Sequence, residues 1–430
     1  MAGGLAQIVA YGAQDVYLTG QPKVTFFQAV YKRHTNFAME AIKQNINGTF
    51  TNSSKISAVV GRFGDLLGDT WIELPVTTGV SLGPTSTNNG ATRDTCWIAE
   101  RAFTQIDFVI GGNLIDRHYQ SWWRLWSECF LDEARKSGYG KMTSFPATTL
   151  TGTVILPLLF FFCKNPGLFL PLVALQNHEV RLDLYLTPDF TNYFTGTVNM
   201  WSNYVYIDVE ERRRLAQGTH EYLIEQVQQS IIIPSTTPTR VYFNHPVKEL
   251  IWCYQQSGTA PYNMWNFCAP NASGIYPVIS CLPASGMIPG LAGRPFINAV
   301  TSSSPAWSED GSSVGTPGAA YPAVQAPLST FNILFNNQPR FELQSGKYFN
   351  QYQPFRYHSG TPYPGIYVYS FALKPEEHQP SGTCNFSRIE KVEVVSTLKS
   401  TAGTPNQIIY AVNYNILQVQ GGMAALAFSN

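Results

Sequence analysis

Charge is scarce in this sequence. Of 430 residues only 13% are Asp, Glu, Lys or Arg, about half the usual share, and the two signs cancel at 28 each. Without a basic excess there is no general means of neutralising phosphate, which excludes a broad nucleic-acid-binding role. Basic clusters are confined to Lys32-Arg33-His34 and Arg212-Arg213-Arg214, and Glu210-Glu211 precedes the second. A free-standing monomer normally covers itself with charge. The deficit therefore predicts a surface buried against partners, covered by glycan, or carried by Ser, Thr, Asn and Gln.

A membrane-spanning run is also missing. The most apolar stretch, ILPLLFFFCKNPGLFLPLVAL from Ile155, is interrupted by Lys164-Asn165-Pro166-Gly167, whereas a spanning helix needs about 20 uninterrupted apolar residues. Pro157 and Pro171 oppose a helix, and after Gln176 the residues Val180, Leu182, Leu184 and Leu186 alternate with Glu179, Arg181, Asp183 and Tyr185. A short apolar run, a turn and a second run predict two strands buried in a sandwich core. The opening MAGGLAQIVAYG lacks the basic and apolar regions of a secretory signal, and its glycine at position 3 misses the myristoylation pattern.

Local chemical motifs are absent in turn. The cysteines, Cys96, Cys129, Cys163, Cys253, Cys268, Cys281 and Cys384, are odd in number and form no CxxC pair, which favours free thiols in a reducing compartment. His34, His118, His178, His220, His245, His358 and His378 form neither HxH nor HExxH, so no metal centre is expected. Gly64-Asp65-Leu66-Leu67-Gly68-Asp69 lacks the carboxylate density of a calcium loop and is read as a turn before a strand. No GxSxG, phosphate-binding or dinucleotide motif occurs, and no cofactor is implied. A glycosidase needs only two facing carboxylates, so a tandem β-sandwich that binds or cleaves glycan stands as the alternative function.

What the sequence does contain is period-two alternation. Ile72, Leu74 and Val76 share a face, as do Ile106, Phe108 and Ile110; Gly111-Gly112-Asn113 then supplies a hairpin turn. The same pattern marks Val205, Ile207 and Val209; Leu250 and Trp252; Phe331, Ile333 and Phe335; Tyr367, Tyr369, Phe371 and Leu373; Val392 and Val394; and Ile408, Tyr410 and Val412. With long Gly/Pro/Ser/Thr/Asn connections, this predicts an all-β chain of antiparallel sandwiches. One segment differs. In DRHYQSWWRLWSECFLDEARK the residues Tyr119, Trp122, Trp123, Trp126 and Phe130 have helical spacing, and Asp116 is placed to cap that helix.

A faint duplication runs through the chain. IDFVIGGNLID at 106–116 resembles FNILFNNQPRF at 331–341, and 155–186 resembles 366–395. Two copies of one all-β module account for both similarities and for the length, with chance hairpin likeness as the alternative. The expected division is an arm at 1–25, a first module at 26–214, a linker at 215–224, a second module at 225–413 and a tail at 414–430. A long irregular segment, 256–327, is expected to project from the second module. N-x-S/T sequons fall at Asn47, Asn52, Asn271 and Asn385; Asn271 lies in the projecting segment.

Longer motifs carry a resemblance. GGLAQIVAYGAQDVYLTGQPKVTFFQAVYKRHTNFAMEAI, LPLLFFFCKNPGLFLPLVALQNHEVRL, HEYLIEQ, NHPVKELIW, YVYSFALKPEEHQPSGTCNFSRI and NYNILQVQGGMAALAFSN closely resemble the major capsid proteins of nucleocytoplasmic large DNA viruses, notably the phycodnavirus-like coat proteins. The resemblance implies a double jelly roll of two consecutive eight-stranded sandwiches. It further implies homotrimers forming pseudo-hexagonal capsomers, an icosahedral shell around an internal membrane and DNA genome, and minor capsid proteins beneath. On that basis the chain is expected to be a virion component without enzymatic activity, assembled in the host cytoplasm. Outer loops are expected to meet glycan and host surface; direct sequence-specific nucleic-acid binding and a transmembrane segment are not.

Overall fold

The structure, a computed structural model, describes residues 3–76, 97–144, 152–255, 265, 267–269, 279–280, 296–297, 326–399 and 402–428. It divides into two units, Met1–Phe37 and Ala38–Asn430. The first carries helices α1 (Gly3–Val9) and α2 (Val16–Thr19), neither with a buried residue. Most of 256–327 lies outside the described residues, as do Asn271, Cys96 and Cys281.

The second unit begins with β1 (Phe37–Asn47), β2 (Lys55–Val59), β3 (Leu66–Val76), β4 (Phe103–Ile110), β5 (Asn113–Tyr119), β6 (Gly152–Pro157), β7 (Leu170–Pro171), β8 (Val180–Leu186) and β9 (Asn199–Ile207). Their order is β5-β4-β8-β2-β1-β9-β3-β6, with β7 on β3. The β2–β1 pairing is the corner between two four-stranded halves. Between them lie Ile72, Leu74, Ile106, Phe108 and Ile110, all fully buried.

The remaining strands are β10 (His220–Ile232), β11 (Thr239–Val241), β12 (Pro246–Gln255), a short pair β13 (Ile279–Ser280) with β14 (Phe296–Ile297), β15 (Leu328–Phe335), β16 (Gln338–Pro339), β17 (Gln344–Ser345), β18 (Ile366–Ser370), β19 (Cys384–Asn385), β20 (Val392–Leu398), β21 (Asn406–Gln420) and β22 (Met423–Leu426). They form β10-β21-β12-β18 and β11-β20-β15-β16. The first order repeats β1-β9-β3-β6 strand for strand, and the second repeats β2-β8-β4-β5. Even the small strands match, since β19 sits on β12 as β7 sits on β3. The fold is a double jelly roll, and the duplication is topological as well as sequential. The likeness of 106–116 to 331–341 has a backbone cause. Gly111 and Gly112 have φ of 57° and 86°, Asn336 and Asn337 of 51° and 67°, the left-handed pair that a two-residue hairpin demands and that glycine and asparagine tolerate.

Several local expectations are corrected. Asp116 does not cap the tryptophan-rich helix: β5 stays paired with β4 as far as Tyr119 opposite Gln105, and α3 runs Gln120–Phe130 with extended Tyr119 at its N-cap. Ladder hydrogen bonds hold the chain extended for a turn longer than the helical spacing suggests. Helix α4 (Glu133–Thr143) has the expected kind of cap, the Asp132 side chain accepting the Arg135 N–H.

The apolar run after Ile155 supplies one strand, β6. Residues 158–169 then form irregular backbone, buried at 158–162 and 168–169 but exposed at Lys164, Pro166 and Gly167, with two 3-10 turns, Phe161–Cys163 and Pro166–Leu168; β7 spans only two residues, and β8 is the next full strand. Pro157, Pro166 and Pro171 lack the N–H a ladder needs. Phe160, Phe161 and Phe162 instead fill the end of the sandwich, 5.4, 6.0 and 5.0 Å from the Phe108 ring.

Val209 is exposed and opens helix α6 (Val209–Gln217), which joins the rolls, rather than ending a strand face. Phe371 and Leu373 follow β18 instead of extending it, and Leu373 is exposed. β10 begins inside 215–224 and β21 continues unbroken through 413–414. Residues 414–420 are therefore strand, because β21 stays paired with β10 to Val419. The remaining short helices are α5 (Phe190–Tyr193) and α7 (Gln353–Tyr357).

Strand β12 explains how the rolls combine. Leu250, Trp252 and Tyr254 point into the second sandwich with Phe331 and Phe349, while Ile251 and Cys253 belong to the core of the first roll, beside Trp122, Ile408, Tyr410 and Val412. Alternation in β12 and β21 therefore feeds two cores at once, and both faces of their sheet are apolar.

Candidate functional site

Among the described residues no three His, Cys, Asp or Glu side chains could hold a metal ion together, and no helix is long and apolar enough to cross a membrane. Asp65, from the run first weighed for calcium, accepts the Ile207 N–H at 3.1 Å and pairs with Arg212 at 3.0 Å. It thereby ties the start of β3 to the helix joining the rolls.

What is built with care is the seam between rolls. At one end, the turn between β21 and β22 lies on the first roll: the Asn177 N–H donates to Gly422 O at 2.9 Å, and the Ala424 N–H donates to His178 Nδ1 at 3.1 Å. Gly422 has φ of 82°, left-handed backbone that favours glycine, and a Cβ there would also stand 2.7 Å from Asn177 Nδ2. Midway, Asp116 accepts the Val227 N–H from the edge of β10, and Gln226 Nε2 donates to Ile115 O. These contacts cover an edge strand with polar groups from the other roll. Nearby, Lys164 lies 2.8 Å from Glu225, which also contacts Lys248. Burial works to raise the Glu225 pKa, but the two ammonium groups outweigh it and hold it at about 2.

At the far end, α3 and α4 carry a buried ionic cluster. Arg124 stacks 3.8 Å over the Trp97 ring and lies 2.9 Å from Glu128 and 3.6 Å from Glu100. Lys136 lies 3.4 Å from Glu128 and donates to Thr361 O of the second roll at 2.9 Å. Burial pushes Glu100 up to about 7, against the pull of Arg124 and the Tyr139 hydroxyl. Further up α3, Ser121 Oγ and the Tyr410 hydroxyl lie 2.6 Å apart, and the Tyr410 ring packs 5.4 Å from Trp122. The tryptophan helix is thus packing between two sandwiches.

Two cavities flank this seam. One of about 980 Å³ is bounded by Lys136, Tyr348, Tyr352 and Phe355, and another of about 630 Å³ by Leu114, Asp116, Gln226, Tyr242 and Phe428. Large apolar side chains lie on the surface of the second unit, including Phe355 at 83% and Tyr242 at 72%. In the first unit Phe26 and Phe27 are 93% and 99% exposed.

The sequon asparagines are dispersed. Asn47, Asn52 and Asn385 are all exposed; Asn52 Oδ1 accepts the Thr191 N–H at 2.8 Å and Asn385 Oδ1 the Ser387 N–H at 3.1 Å. Sequence reasoning missed the seam residues. Its one available signal was charge within apolar strands, as in Lys248-Glu249 of NHPVKELIW.

The chain matches the family described as large eukaryotic DNA virus major capsid protein over residues 211–425, and the major capsid protein N-terminus family over 25–208. It is 38% identical to the major capsid protein of Paramecium bursaria Chlorella virus 1 and 34% identical to that of Phaeocystis pouchetii virus, with all of each chain covered in both cases. Its fold is similar to a subunit in the quasi-atomic model of the PBCV-1 virus capsid, with a TM-score of 0.76 and 32% identity over 94% of this chain and 100% of that one. The Faustovirus major capsid protein shares the fold, with a TM-score of 0.69 at 14% identity over 97% of this chain and 96% of that one. The double jelly roll is thus the shared fold, and the chain belongs to the major capsid proteins of large eukaryotic DNA viruses.

Proposed function

We propose that three copies of the chain close into a homotrimer of pseudo-hexagonal outline, each copy supplying two like wedges, and that these capsomers tile an icosahedral shell around an internal membrane and a DNA genome. The observation that carries this reading is the strand-for-strand repetition of the rolls. Fixed by the seam, two similar bodies in each of three chains give a block with six similar sides. A cyclic contact closes after three steps and stops. Obligate interfaces of this kind bury roughly 2,000–5,000 Å², and the shortage of charge fits such burial.

The role is structural and needs no catalytic group. Loops rich in aromatics and proline, including parts of 256–327, interlock chains around the threefold axis, and outer loops meet glycan and host surface. The arm lies on the inner face, where minor capsid proteins or a neighbouring subunit order its exposed apolar residues. Assembly takes place in the host cytoplasm, with which the free thiols of Cys129, Cys163, Cys253 and Cys384 accord. Any N-linked glycan is carried at Asn47, Asn52, Asn271 or Asn385, which glycopeptide mapping checks. Gel filtration with light scattering tests the central claim: a stable species near three times 47.8 kDa is expected, and a monomer at micromolar concentration overturns it.

A further inference from the structure

The loop after α7 belongs to the second roll but seats in the first. The Gly360 N–H donates to Cys129 O at 2.9 Å. A Cβ on Gly360 would stand 2.4 Å from Glu128 O and 2.7 Å from both Cys129 O and Leu131 O, so carbonyls at the end of α3 close around a residue with no side chain. Two residues earlier, the His358 side chain is wholly buried. Its Nε2 lies 3.3 Å from Glu249 Oε2 of β12 and its Nδ1 3.5 Å from Glu376 Oε1, while its ring stands edge-on to Phe130 of α3 at 5.1 Å. Glu376 also accepts the Ser359 N–H at 2.7 Å and the Ser359 hydroxyl. One carboxylate therefore holds both the histidine and the backbone beside it.

Other charged and titratable groups face this point. Lys248 of β12 lies 4.0 Å from Glu249 and is shared with Glu225. Glu128 of α3 is engaged by Arg124 and by Lys136 of α4. The Cys129 thiol is pushed well up by burial. Glu249, completely buried, thus has His358 and a shared Lys248 as its cations.

We propose that His358, as an imidazolium held between Glu249 and Glu376, is a pH-sensitive fastener that keeps residues 358–361 of the second roll seated on the end of α3, and that it releases in alkaline solution. Burial works to lower the His358 pKa, but the two carboxylates outweigh it and hold it at about 9. A raised histidine pKa stabilises fully below the ordinary value near 6.5, and that stabilisation disappears as pH climbs through about 9. Above that pH two carboxylates face a neutral ring, and the loop loosens while the strand ladders hold. This inference concerns a single chain and stands apart from the proposed trimer.

The full chain, His358→Gln and Glu376→Gln are compared by hydrogen exchange of the peptide spanning 358–362 from pH 7 to 10, corrected for intrinsic base catalysis. The unaltered chain is expected to lose protection there with a midpoint near 9. Glu376→Gln moves that midpoint lower, and His358→Gln is unprotected at pH 7 with no midpoint in the range. Identical profiles for the unaltered chain and His358→Gln overturn the proposal. Should His358→Gln fail to fold, an unmoved midpoint in Glu376→Gln, or an imidazole NMR signal titrating near 6.5, overturns it equally.

Discussion

Asp116 Oδ1 in the first roll accepts the backbone N–H of Val227 in the second at 3.0 Å, and the carboxylate is almost completely buried. Its other oxygen lies 3.1 Å from His118 Nε2. Removing the acceptor leaves a shielded donor on an edge strand, which costs about 1–3 kcal/mol. Asp116→Ala is expected to lower the urea midpoint accordingly, and Asp116→Asn, which keeps a carbonyl oxygen, to lower it less.

Glu225 gives the seam an acid limit. Its folded pKa is held near 2 by Lys164 and Lys248, against an ordinary value of 4.5. A depressed carboxylate stabilises fully above the ordinary value, and that contribution fades as pH falls toward 2. The melting temperature of the unaltered chain should therefore drop from pH 5 to pH 3 by more than that of Glu225→Gln, as read by calorimetry.

Asn337, with φ of 67°, tests the repeated hairpin. Asn337→Gly should be tolerated, as the matching position in the first roll is Gly112. Asn337→Val forces a β-branched residue into left-handed backbone and should destabilise by about 1–3 kcal/mol in thermal unfolding.

The arm can be examined by deletion. Neither of its helices has a buried residue, so removing residues 2–20 should leave the oligomeric state and melting temperature of the chain unchanged. Shell assembly with its partners is expected to fail, as imaged by electron microscopy; shells of normal yield would refute the role given to the arm.

Much of the architecture was legible because strand faces are written with period two. Ile72, Leu74 and Val76, and Ile106, Phe108 and Ile110, are core residues as their alternation requires. Turn chemistry was legible for the same local reason. Asp116 was misjudged because helical spacing after it says nothing about β4, whose ladder keeps 113–119 extended. The run 158–169 was misread because apolar composition reports burial but not backbone form. His358 gave no local sign at all. Glu249 lies 109 positions before it and Glu376 18 after it, so only folding creates their triad.

In the sheet β10-β21-β12-β18, strands β12 and β18 and most of β21 are shielded from water on both faces. An ordinary sandwich sheet is wet outside and dry within, whereas β12 and β21 carry grease on both surfaces. A gene fragment encoding the second half alone would therefore yield a product with an open hydrophobic raft, expected to clump.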